Sequence, residues 1–236
     1  LETFNHMLKS KGLGVCSIPS DLKREQLKGE EIANSISHGV GLIAAIFGTP
    51  LLVMNALRHG DTAYVAGTSV FASSMFLLYL SSTLYHALPK GEAKRCFRII
   101  EHSAIYVLIA GTYTPLTLGV LHGAFGWTLF GIVWGFALSG ITMKAIYRTP
   151  HPIISTTFYL VMGWLALIAV DPLLTMMTTS GIVYLFAGGL FYTVGVAFFA
   201  TDYRLRYGHL IWHLFVIAGT ACHYVVIFWY AASSTI

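Results

Sequence analysis

Seven continuous apolar runs, at roughly 35–57, 62–88, 97–121, 124–147, 152–171, 181–200 and 208–232, constrain this chain more than any other feature. Each is close to the ~20 residues a helix needs to cross a hydrocarbon core. None alternates apolar and polar residues at every second position, as the strands of a membrane barrel would. The connections are short and marked by charge, Gly or Pro, as at Arg58-His59-Gly60-Asp61 and Pro89-Lys90-Gly91. Charged residues make up only 10% of the chain, far below the ~25% of a soluble domain. The expected fold is therefore all-α: a polytopic membrane protein with a polar tail over 1–30 and one seven-helix bundle over 31–236. No internal repeat is visible. The 23 glycines suit helices that pack closely in lipid.

The basic residues predict an orientation. All but Arg58 of the 14 Lys and Arg residues fall in the tail, the second loop, the fourth loop or the sixth loop. Loops rich in Lys and Arg stay in the cytoplasm, so the N-terminus is expected inside and the C-terminus outside. The net charge of +4 thus reports on topology, with membrane lipids as partners and no nucleic acid. The tail has no apolar signal-peptide core, so the first span is expected to direct insertion. Cys16, Cys96 and Cys222 match no metal motif, and two of them are expected on the reducing side, which argues against a structural disulfide.

That orientation brings scattered polar residues to one depth. His86 ends the second span on the cytoplasmic side. Glu101 and His102 begin the third there, His38 begins the first, and His209 and His213 begin the seventh. Histidines four apart on a helix share one face, and ionisable groups within a span face protein, metal or water rather than hydrocarbon. Zn²⁺ is commonly held by imidazole nitrogens, and a three-histidine site keeps a fourth position open. His86, His209 and His213 would supply that set. Ser82 lies four residues before His86 and could bond a water or a carboxylate. Glu101 could orient or deprotonate a water at the metal. The competing reading is that these side chains only hydrogen-bond between helices. Glu31, Asn34 and His38 follow an i, i+3, i+7 stripe. That stripe either supports the site from behind its ligands or caps the helix at the interface. His223 is about 15 Å further along the seventh helix than His213 and reads as a packing or hydrogen-bonding residue. Pro115 is expected to kink the third span.

Taken together, Glu31-x-x-Asn34-x-x-x-His38, Ser82-x-x-x-His86, His102-Ser103-Ala104-Ile105-Tyr106 with Ala110-Gly111-Thr112-Tyr113-Thr114-Pro115, and His209-x-x-x-His213 resemble the bacterial hemolysin III family. That family is grouped with the progestin and adipoQ receptors, which include the adiponectin receptors, and with alkaline ceramidases. The resemblance covers about residues 30–232. It implies seven helices, a cytoplasmic N-terminus, a bacterial plasma (inner) membrane location and a zinc ion near the inner leaflet. His86, His209 and His213 match its zinc-binding histidines and Ser82 its nearby serine. Glu101 stands where the family usually has Asp, so the carboxylate is one methylene longer here.

Three functions compete on these grounds. The first is a zinc-dependent, ceramidase-like hydrolase of lipid amide bonds, with Glu101 as base and an acyl lipid as substrate. The second is a non-enzymatic sensor or receptor for membrane homeostasis in which zinc ties helices together. The third is a pore-forming cytolysin, which the family name implies and the apolar spans do not favour. The absence of a lysine for a Schiff base in residues 208–232 weakens a retinal-protein reading.

Overall fold

The computed structural model describes residues 24–147 and 152–231. Lys9, Lys11, Lys23, Cys16, Arg148 and His151, on which parts of the charge, cysteine and histidine readings rest, lie outside the described residues. Seven helices are long and apolar enough to cross a membrane: α1 Lys28–His59, α2 Thr62–Ala87, α3 Glu92–Val120, α4 Gly123–Ala145, α5 Ile154–Met176, α6 Thr179–Thr201 and α7 Gly208–Ala231. No strand occurs among the described residues.

Local chemistry sets the helix ends. Asp61 caps α2 by accepting from the Tyr64 amide at 2.7 Å, and Thr178 does the same for α6 through the Gly181 amide at 3.3 Å. α1 begins at Lys28 rather than near 35, because polar residues ahead of the apolar run are bonded rather than solvated. The Glu30 carboxylate accepts from the Leu27 amide at 2.9 Å and from both Arg24 guanidinium nitrogens at 2.7 Å. Pro115 keeps a helical conformation and closes the α-helical part of α3, which continues as a wider π-helical turn over Leu116–Val120. Proline has no N–H to give the carbonyl four residues back, and the π-helical turn beyond it absorbs that break in the ladder. Thr114 and Thr117 donate to the Ala110 and Tyr113 carbonyls nearby.

Packing follows chain order and then closes. α1 packs on α2, α2 on α3, α3 on α4, α6 on α7, and α7 returns to α1. α3 is the central helix, 72% buried over its apolar window against 22% for α1. α2 and α3 approach closely: a Cβ on Gly67 would lie 2.7 Å from the Pro115 backbone, and one on Gly111 2.4 Å from the Ser74 hydroxyl. Small residues that let backbones approach are the usual means of helix association in lipid. α1 turns Ile36, Val40, Ile43, Phe47, Leu51 and Leu57 outward, as a lipid-facing surface requires.

Candidate metal centre

The end of the bundle where α1, α3 and α7 begin and α2 and α6 end collects buried polar side chains. All the described Lys and Arg residues except Arg58 also lie toward this end. His86 from α2, Glu101 from α3, and His209 and His213 from α7 each offer one ligand atom, and these atoms lie within 4.8 Å of one another. The three imidazole centroids are 4.7–5.1 Å apart. Glu101 Oε1 is 3.7 Å from His86 Nε2.

The hydrogen bonds indicate which nitrogen of each ring is free. His86 Nδ1 lies 2.8 Å from Glu31 Oε2, and His209 Nδ1 lies 3.0 Å from Asp202 Oδ2. A carboxylate only accepts, so both Nδ1 atoms carry the proton and donate. His213 Nδ1 lies 3.0 Å from Ser37 Oγ and 3.2 Å from the Asn34 carbonyl. The Ser37 hydroxyl already donates to that carbonyl at 2.8 Å, so His213 Nδ1 donates as well. Each Nε2 is left with a lone pair. The Nε2 atoms of His86, His209 and His213 are all buried, and none has a hydrogen-bond partner. Leaving three acceptors unsatisfied in one place would cost about 1–3 kcal/mol each. A metal ion is the group that would use all three lone pairs, and outer partners that fix the ring tautomer are usual behind such ligands. The donor set therefore fits a metal ion such as Zn²⁺.

Every site residue singled out in the sequence lies here. Ser82 Oγ donates to Glu101 Oε1 at 2.7 Å, so it holds the carboxylate rather than facing open space. Glu31 also meets Lys94 Nζ at 3.0 Å. Asn34 contributes its backbone carbonyl to His213, while its side-chain amide donates to Gln26 at 2.8 Å. His38 stacks on His213 with centroids 3.6 Å apart and planes 5° apart.

Asp202, Ser37, Lys94 and Glu30 were not singled out. Ser37 lies three residues after Asn34, so the helical spacing that marked the stripe also marks it. Asp202 sits in the turn after α6, outside any periodic pattern. Glu30 accepts from the Tyr207 amide at 2.7 Å. Tyr207 has φ +59°, the left-handed conformation, and stands immediately before α7. Such strain in a bulky residue persists only when its surroundings over-determine it, and Glu30 and Arg24 do so here, Arg24 also reaching the Leu205 carbonyl at 3.2 Å. Asp202→Ala should weaken metal binding about 10–100-fold, the usual effect of losing an outer partner. Competition with a chelating dye would measure it, and unchanged affinity would show that Asp202 does not orient His209.

An apolar cavity of about 100 Å³ lies about one helical turn from this centre. Ile105, one turn beyond Glu101, and Trp212, next to His213, line it. It continues between α3, α5, α6 and α7 to Leu116, Trp164 and His223.

The family model described as "Haemolysin-III related" matches residues 27–224. The chain is 43% identical over 205 residues to Hemolysin-3 of Bacillus cereus, covering 87% of this chain and 93% of that one. It is 44% identical over 201 residues to the Hemolysin-3 homolog of Bacillus subtilis (strain 168), covering 85% and 94%. It is 30% identical over 211 residues to the human monocyte to macrophage differentiation factor, covering 85% and 84%. No solved structure matches.

Proposed function

The chain belongs to the haemolysin-III-related family, and from that premise we propose that it is a zinc-dependent hydrolase of acyl-lipid amides. The observation that carries this reading is the trio of buried, unpartnered Nε2 atoms beside Glu101, on the same helices as, and about one turn from, the cavity-lining residues Ile105 and Val216. Zn²⁺ bound there would polarise an amide carbonyl and acidify a water. The cavity would take the acyl chain, which brings the amide to the end where Glu101 lies. Glu101, held through Oε1 by the Ser82 hydroxyl, would accept a proton from the attacking water. As the C–N bond breaks, it would return that proton to the leaving amine, so that a fatty acid and an amine result. The test is turnover of a panel of N-acyl lipids by zinc-loaded protein against metal-stripped protein. No turnover of any member would overturn the reading.

One observation favours a second reading, a membrane sensor in which the metal is a clip. The ligands and their partners come from α1, α2, α3 and α7, with Asp202 just past the end of α6. A metal there would join most of the bundle. The pore reading has less support, because the cavity is lined mainly by apolar side chains.

The proposed location is a bacterial plasma membrane with the metal centre toward the cytoplasm. The support is the basic residues gathered at that end. A reporter fused after Ile236 should be outside and one inserted at Lys90-Gly91 inside. Both on the same side would sink the topology.

A further inference from the structure

The far end of the cavity holds a buried acceptor that the proposed reaction does not use. His223 on α7 lines the cavity and is 8% exposed. Its Nε2 lies 3.2 Å from the Leu185 carbonyl on α6. A carbonyl only accepts, so Nε2 carries the proton, and in the neutral ring Nδ1 keeps a lone pair. That Nδ1 is buried with no hydrogen-bond partner. The ring is closely held: a Cβ on Gly188 would lie 2.4 Å from His223 Nε2, so only glycine admits the imidazole against α6.

Four nearby hydroxyls are engaged elsewhere. The Thr112 and Thr193 hydroxyls donate to the Leu108 and Gly189 carbonyls, each at 2.8 Å. Thr220 donates to the Val216 carbonyl at 2.9 Å, so the Tyr192 hydroxyl donates to Thr220 Oγ1 at 2.7 Å. The protons of these four hydroxyls are therefore committed, and none of them is donated to His223. A buried acceptor left so costs stability unless something donates to it. His223 is ten residues beyond His213, about 15 Å along the helix.

We propose that His223 forms a distal subsite that selects acyl chains carrying a mid-chain hydroxyl, with the hydroxyl donating to Nδ1. This rests on the reading of the cavity as the acyl site, and it adds a preference within that class. A plain chain would leave the acceptor unpaired. A hydroxylated chain would lose nothing by burial, since its hydroxyl exchanges water for imidazole.

The probes are oleic acid and ricinoleic acid, which differ only by a mid-chain hydroxyl and contain no amide to cleave. Their equilibrium binding would be measured on the full chain, metal-loaded, in nanodiscs. Ricinoleic acid should bind about 3- to 10-fold more tightly, the effect of one net hydrogen bond. His223→Phe keeps a ring and removes the acceptor, so it should abolish or reverse that preference. His223→Gln keeps an acceptor and should retain part of it. Metal content equal to wild type in both variants would report intact folding. Equal binding of the two acids by the wild-type chain would overturn the subsite and leave the acyl cavity standing. A preference that persists in His223→Phe would remove His223 from the role. Binding of neither acid would overturn both the subsite and the acyl reading of the cavity.

Discussion

His209→Ala and His213→Ala should each strip most of the metal from the purified protein, while His223→Ala leaves it in place. The expected content is about one zinc per wild-type chain, because three imidazoles with an open fourth position suit that ion. Losing a ligand should weaken binding beyond the about 10–100-fold that losing an outer partner costs. His213→Ala should do the greater damage. His213 is fully buried, its Nδ1 is tied to α1 through Ser37 and Asn34, and His38 is stacked on its ring. An alanine there removes a ligand and leaves the Nδ1 partners and the His38 face without a neighbour. Because metal binding is linked to folding, the variant should also melt at a lower temperature, and added zinc should not restore it. Elemental analysis with thermal unfolding reads both effects. Equal zinc in the α7 variants and in His223→Ala would show that the α7 pair is not the metal site.

The parts of this architecture that show in the sequence are those governed by the lipid. Continuous apolar runs announce seven helices, since backbone polar groups in hydrocarbon must be paired within the helix. The skewed placement of Lys and Arg lines up His86, Glu101, His209 and His213 in depth without any contact information. Depth does not bring helices together laterally. That depends on features such as Gly67 and Gly111 letting α3 approach α2, which composition alone does not separate from other glycines. Glu30 and Asp202 were hidden for a different reason. Asp202 lies in a turn, where no periodicity marks a buried side chain, and Glu30 lies in the first turn of α1, ahead of the apolar run, and acts through the backbone of Tyr207, 177 residues away. The left-handed Tyr207 has no sequence signal, because bulky residues rarely adopt that conformation. The cavity was equally silent. Its walls are the same large apolar and aromatic residues that would otherwise fill a core, and only their arrangement leaves the space.

Replacing Glu101 by Gln separates an enzyme from a sensor. If the protein is a hydrolase, Glu101→Gln should retain zinc and lose turnover by about 10²-fold or more, the scale of a positioned acid–base group. The structure gives this substitution a clean premise. Ser82 Oγ donates to Glu101 Oε1 at 2.7 Å, and a glutamine carbonyl can accept the same bond, so position is kept while basicity is lost. Glu101→Asp tests the reach of the side chain. It shortens the carboxylate by one methylene, and turnover should be retained or raised. Ser82→Ala should fall between these variants, because it frees the carboxylate without removing it. If the metal is a clip, the pattern inverts: Glu101→Gln would leave function intact, and His86→Ala would disrupt folding by removing the only histidine ligand from α2. Zinc content and lipid turnover measured together in the same preparations decide between the two. Full turnover in Glu101→Gln would refute the proposed base, and absence of turnover in every zinc-loaded form would leave the sensor.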